Sequence, residues 1–583
     1  MLLQYLSLLG RQIIHLVLVV PREQPKFWSA GNLVASFGVG NQGHLQSATA
    51  IVIEVRFAMP LESRQLQKGP KSTGFLTPDP EAVTIRPNFV GGRPMRTSQL
   101  SLLLGVALGL ATLPASADVP VPQISGPVAA TDVPGSPGHN YIFFSSNHDL
   151  AQHGYVEEEF FVRGAANTYN IADPMKHGAL ASTDQPYMTR VVVRRPANPK
   201  LFNGIVVVEW YNVTNQFDAE NVWFFDWEHM LREGYVWVGV SAQTVGVAAL
   251  KKFSPARYGD LDVGKTVSVG AGLPAGTDAD ALSYDIFSQV GEAIKHPSNM
   301  DMLHGLKSKL VLAAGESQSA NRLASYVNSI NPSARVYDGF FLLSSLGRRI
   351  RDDLPVPVIK VSTEFDTLNG EAASEQPDTE KFRSWEVAGT SHVDQHLRAS
   401  REPMELRDNG RSLEAAMAPL CANPQIGTRV PTSYVVASAL DKLAIWAKGG
   451  KPPRGAPRLA VTKVYPRPLA ADVVRNADGL AQGGIQLSEL AVPTQINVGD
   501  NAPANPSSVP AGGEAIGAGA CVRWGYSVDM SFEQLSARYP SHAAYVAAVK
   551  KVTDQNVKDS YILPFDADAT VRAAEASRVG RGP

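Results

Sequence analysis

The chain reads as an α/β protein with a mostly parallel central sheet flanked by helices. Residues 204–210, 234–241 and 309–314 are continuous apolar runs rich in β-branched side chains, the mark of strands buried on both faces. Helical patterns stand between these runs, so the connections are βαβ units. The run LVLAAGESQS at 310–319 then passes from an apolar strand, through a small-residue turn with Ser317 at its apex, into the start of a helix.

Each element follows in order. Residues 118–140, rich in Pro, Gly and Val, predict an extended lead-in. Residues 155–163 and 188–195 alternate as strands. The aromatic-rich stretch 219–232 has helical period and separates the strands at 204–210 and 234–241. Residues 244–278 are rich in Gly, Ala and Asp without strong periodicity, and predict an insertion over about 244–280. An amphipathic helix at 281–295 follows it. Then come a strand at 309–314, a helix at 318–330 and strands at 337–343, 356–361 and 382–387. Beyond these, 432–447 is helical and stops at Gly449-Gly450-Lys451-Pro452-Pro453, 470–520 is Pro/Gly/Ala-rich, and 531–552 is helical again. Residues from about 400 to 583 therefore read as a C-terminal extension that, with the insertion, forms a lid or pocket wall.

Among 583 residues, 44% are hydrophobic and 19% charged, which describes a globular chain. A formal net charge of -2, with no dense Lys/Arg cluster, excludes an electrostatic case for nucleic-acid binding. Residues 95–117 combine a basic start (Met95-Arg96), an apolar core and the ending Ala115-Ser116-Ala117, which is a secretory signal with cleavage before Asp118. A signal belongs at an N-terminus, so translation is expected from Met95, with residues 1–94 a spurious or disordered extension. The apolar stretch 2–20 is interrupted by Arg11, Gln12 and His15 and makes a poor spanning helix, so no stable membrane span is expected after cleavage. A periplasmic or secreted location permits Cys421 and Cys521, the two cysteines of the chain, to form a disulfide; in a cytosolic protein they would be free thiols.

The chemistry centres on Ser317. In Gly315-Glu316-Ser317-Gln318-Ser319 a serine replaces the second glycine of the Gly-x-Ser-x-Gly elbow, where strand and helix backbones approach closely. A serine hydroxyl needs a base within hydrogen-bond reach, and the base needs an acid to hold its tautomer. Downstream, the strand at 356–361 runs into Glu364 and Asp366, and the strand at 382–387 runs through a Gly389 turn to His392. This is the chain order serine, acid, histidine. Asp366 is the expected acid and Glu364 the alternative. One oxyanion donor is expected from the N–H of Gln318, and a second from the loop at 210–213, with Tyr211 and Asn212 as candidates. His392-Val393-Asp394-Gln395-His396 also permits a metal reading, but no further Cys/His set converges on it. No metal is expected, and the chemistry requires no cofactor.

The phrases VVVEWYNVT (206–214), GYVWVGVSAQTVGV (234–247), AAGESQSANRLASYVN (313–328) and SWEVAGTSHVD (384–394) resemble the exported bacterial "alpha/beta hydrolase domain" family of serine esterases. The likeness extends to YILPFDAD at 561–568 and so spans nearly all of 118–583. It implies an α/β-hydrolase fold and a secreted serine hydrolase that acts on a small-molecule ester through Ser317 and His392. An acyltransferase using the same residues, and a catalytically inactive envelope binding protein on the same fold, are the alternatives.

Overall fold

A computed structural model of the chain describes residues 18–21, 37–40, 48–52, 119–264, 280–464, 471–509 and 517–582. The signal segment 95–117, Asp118, and residues 265–279 of the predicted insertion lie outside the described residues. The chain divides into two units, Met1–Ser116 and Ala117–Pro583, and the division falls beside the predicted cleavage junction. In the first unit Leu18–Pro21, Phe37–Gly40 and Ala48–Val52 form a three-stranded antiparallel sheet with Ala48–Val52 in the middle, where the sequence predicts no element.

The second unit is built on nine strands: β1 Gln123–Ser125, β2 Tyr155–Asn170, β3 Ala179–Pro196, β4 Ile205–Trp210, β5 Val236–Val240, β6 Leu310–Glu316, β7 Gly339–Leu343, β8 Val358–Thr363 and β9 Phe382–Val387. Their order across the sheet is β9-β8-β7-β6-β4-β5-β3-β2-β1. Every pair from β9 to β5 is parallel, while β5/β3, β3/β2 and β2/β1 are antiparallel. All residues of β4, β5, β6, β7 and β8 are buried, as continuous apolar strands covered on both faces must be. β2 and β3 run beyond the predicted 155–163 and 188–195. Their distal halves, Gly164–Asn170 and Ala179–Pro186, carry small and polar residues that leave no alternation to read, yet pair across a long hairpin.

The helices that position the site are α1 Asn221–Glu233, α2 Thr244–Phe253, α3 Ser283–Lys295, α4 Gln318–Ser325, α5 Gln395–Met404 and α6 Thr432–Ala447. Helix α2 occupies part of the stretch predicted to lack periodicity. Its Thr244, Val247 and Leu250 are buried on one side, a stripe too short to stand out among the glycines and alanines that follow it in sequence. The predicted helix at 318–330 widens after Ser325 into a π-turn over Tyr326–Ile330. Glu209, at the end of β4, accepts hydrogen bonds from the N–H groups of Val222 (2.8 Å) and Trp223 (3.0 Å) and from Trp237 Nε1 (2.8 Å). It thus caps α1 with a carboxyl that burial pushes up to about 8. Among the described residues no helix is long and apolar enough to cross a membrane.

Candidate active site

Ser317 sits between β6 and α4 with φ 55° and ψ -115°, a positive φ that a non-glycine residue adopts only where the surroundings enforce it. Its N–H donates to Leu343 O of the neighbouring strand β7 (2.9 Å). The turn is tight at Gly315: a Cβ there would lie 3.0 Å from Ser319 C and 3.1 Å from Ala320 N, so the backbone of α4 would have to give way. Ser319, the departure from the preferred spelling, is accounted for by its hydroxyl. Ser319 Oγ donates to Glu316 O (2.9 Å) and accepts from Glu316 N (3.0 Å), which clamps the strand end to the helix start.

The structure brings Ser317, His392 and Asp366 into one line. Ser317 Oγ is 2.8 Å from His392 Nε2, and His392 Nδ1 is 2.7 Å from Asp366 Oδ1. With Nδ1–H donated to the carboxylate, Nε2 is the acceptor that faces the serine hydroxyl. The other oxygen of Asp366 accepts from the N–H and hydroxyl of Thr363, both at 2.8 Å, so the acid is oriented by the end of β8. Burial favours the neutral acid, but His392 and the hydrogen bonds outweigh it and hold Asp366 below the usual carboxylate range. Burial likewise opposes charge on His392, yet the carboxyls of Asp366 and Glu316 raise its pKa above the ordinary value.

The alternative acid, Glu364, is not on the histidine. Its oxygens accept from Gly389 N–H (2.8 Å), Gly499 N–H (3.2 Å) and Arg475 Nη2 (2.6 Å). It braces the Gly389 turn, at φ 73°, from which the His392 loop departs. That loop is also held by Ser391 N–H on Thr428 Oγ1 (2.9 Å) and by Val393 N–H on Arg523 O (2.9 Å). Glu364 and Asp366 both lie in the helical turn that follows β8, and two residues apart their carboxyls meet different partners.

Of the two predicted oxyanion donors, the N–H of Gln318 begins α4 and donates to no acceptor among the described residues, as the first N–H of a helix does. Asn212 does not fit the role. Its N–H is spent on Ala219 O (2.9 Å), and its Nδ2 on Glu316 O (2.9 Å) and Glu316 Oε2 (3.1 Å). The other candidate, Tyr211, has its N–H on Val240 O (3.3 Å). In the same 210–213 loop, but not among the two candidates, Val213 has an N–H that reaches Gln318 Oε1 at 3.2 Å. Glu316 is the second omission: 1% exposed, it is held by Asn212 and by Asn221 Nδ2 (2.7 Å), with Oε1 3.4 Å from His392 Nε2.

The cleft over Ser317 is walled by residues of the C-terminal part of the chain, among them Arg401, Arg523 and Trp524, and by Asn215 and Asn221. Cys421 and Cys521 are joined in a disulfide that ties the Arg523–Trp524 segment to the chain following α5. Among the described residues no group of three or more His, Cys, Asp or Glu side chains is placed to hold a metal ion.

A serine on a strained strand-to-helix turn, with its histidine and acid at the ends of successive parallel strands, is the architecture of the α/β hydrolases. The chain belongs to the alpha/beta hydrolase domain family, whose model matches residues 124–572. Solved structures similar to it include a lidless α/β serine hydrolase from Xanthomonas campestris, 14% identical over 42% of this chain and 93% of that chain, with a TM-score of 0.23. The esterase Est22 is 11% identical over 52% of this chain and 84% of its own, with a TM-score of 0.27. A rice cell wall degrading esterase from Xanthomonas oryzae is 10% identical over 33% and 43%, with a TM-score of 0.18. No curated protein matches the chain.

Proposed function

We propose that this protein is an exported serine hydrolase that cleaves a carboxylic ester through an acyl-enzyme. The observation that carries this reading is the unbroken relay from Asp366 through His392 to Ser317 Oγ, beside a helix N-terminus whose Gln318 N–H meets no acceptor among the described residues. As Ser317 Oγ attacks the ester carbonyl carbon, its proton passes to His392 Nε2, and Asp366 stabilises the imidazolium. The carbonyl oxygen takes the developing negative charge and is met by the N–H of Gln318. The Val213 N–H becomes a second donor when the substrate oxygen replaces Gln318 Oε1 as its acceptor, now at 3.2 Å. Collapse of the tetrahedral intermediate breaks the C–O bond, and the alcohol leaves with the proton from His392. Water, deprotonated by the same imidazole, then attacks the acyl-serine, releases the acid and restores Ser317.

Export rests on the signal pattern of residues 95–117. Two experiments test the whole reading. A fluorophosphonate probe is expected to label the protein and to fail on Ser317→Ala; unlabelled, folded wild type would refute the hydrolase. Edman degradation of protein recovered from the periplasm is expected to read Asp118-Val119-Pro120; a mature chain beginning near Met1 would refute the processing.

A further inference from the structure

We propose that the substrate is a short-acyl ester, of the acetyl class, of a hydroxyl-rich alcohol. This rests on the esterase reading above and deepens it. The cleft at Ser317 has a volume of about 40 Å³. A single water occupies roughly 10–15 Å³ on that measure, so there is space for about three non-hydrogen atoms, the size of an acetyl group. Sites that enclose long acyl chains or drug-sized ligands are roughly 300–1,000 Å³ and mostly apolar.

Most of the residues around the cleft are polar. Apart from Val393, Leu397 and Trp524 the lining is polar, and a methylene chain laid against Thr214, Asn215 or Arg523 would strip water from hydroxyl, amide and charged groups without replacing its hydrogen bonds. An alcohol bearing several hydroxyls replaces those bonds. Trp524, the large aromatic of the wall, supplies an apolar surface of the kind that packs against the C–H face of a sugar ring. The wall is also fixed in place. Arg523 and Trp524 follow Cys521 directly, the disulfide anchors that segment to Cys421, and Arg523 O accepts the Val393 N–H beside the catalytic histidine. Moving the Arg523–Trp524 wall would disturb the Val393 support beside His392.

The test is a pair of kcat/KM series on the full mature chain. Among p-nitrophenyl acetate, butyrate and octanoate, acetate is expected to exceed octanoate by about 100-fold, since each added methylene meets a filled or polar wall. Between acetylated glucose and hexyl acetate, the sugar ester is expected to win by about tenfold, and Arg523→Ala or Trp524→Ala to raise KM for the sugar ester more than for p-nitrophenyl acetate. Enzyme that takes a fluorophosphonate label yet cleaves octanoate as fast as acetate, or hexyl acetate as fast as the sugar ester, overturns the substrate class alone. Absence of labelling and of all turnover overturns the hydrolase reading beneath it.

Discussion

Glu316 Oε1 stands 3.4 Å from His392 Nε2, the nitrogen that also faces the Ser317 hydroxyl. The imidazole therefore lies between two carboxyls, Asp366 on Nδ1 and Glu316 beside Nε2. Asn212 and Asn221 hold Glu316 by its other oxygen, which leaves Oε1 turned to the ring.

The sign of the effect follows from the charge. Burial works against a charged imidazole, the two carboxylates work for it, and the net pKa of His392 is raised. Attack needs His392 neutral, so activity is lost as pH falls through this raised pKa. Glu316→Gln keeps the shape and removes the charge, so the acid limb of kcat/KM is expected to move to lower pH. At neutral pH kcat/KM is expected to fall about tenfold, because the imidazolium formed during attack loses a partner. The wild-type advantage then shrinks as pH falls. A pH–rate profile checks this, and an unmoved acid limb would show that Glu316 exerts no field on the ring.

The two acids at the end of β8 are expected to fail in different ways. Asp366→Asn leaves the ring without its orienting charge, and kcat is expected to drop by about 10⁴-fold with KM little changed. Glu364→Gln weakens the bonds to Gly389, Gly499 and Arg475, so stability is expected to fall by about 1–3 kcal/mol while kcat stays within a few-fold. Denaturant titration beside steady-state kinetics separates the two. The opposite pattern would transfer the acid role to Glu364.

What the sequence made legible, and what it hid, follows from the range of the interactions. The buried parallel strands and the strand-turn-helix at Ser317 are local patterns of apolar runs and small residues, and they read directly. The alignment of His392 with Ser317 depends on two chain segments 75 residues apart, and chain order alone pointed to it. Asn212 looks available in the sequence because its partners, Ala219 and Glu316, are visible only once β4 lies against β6. The loop at 210–213 is legible as a donor loop, but nothing singles out Val213 within it, since a backbone N–H is common to every residue type except proline. Glu316 is visible as a letter between Gly315 and Ser317, but its approach to His392 is a property of the fold.

At the elbow, Ser319→Gly restores the preferred spelling and is nevertheless expected to destabilise. It removes two hydrogen bonds to Glu316 and adds a glycine to the first turn of α4, together about 1–3 kcal/mol. Gly315→Ala is expected to cost more, because its Cβ meets the backbone of Ser319 and Ala320 at 3.0–3.1 Å and neither can move without shifting Ser317. Thermal unfolding and fluorophosphonate labelling rates check both. A Ser319→Gly variant more stable than wild type would mean that the clamp on Glu316 has no energetic role.

The disulfide closes a loop with a sequence separation of 100 residues, for which chain entropy alone gives about 4–5 kcal/mol of stabilisation as an upper estimate. Its removal reaches the active site through two contacts: the Arg523–Trp524 wall next to Cys521, and Arg523 O on Val393 N–H. Cys421→Ser/Cys521→Ser is therefore expected to lower the unfolding free energy by a few kcal/mol and to raise KM, with a smaller loss in kcat, because Asp366 and Thr363 still hold His392 from the other side. The same changes are expected when wild type is treated with reductant under native conditions and then alkylated. Guanidinium titration and ester kinetics, each with and without reductant, provide the check. If stability falls but KM does not, the bond staples the fold without shaping the cleft, and the wall at Arg523 is held by its own packing.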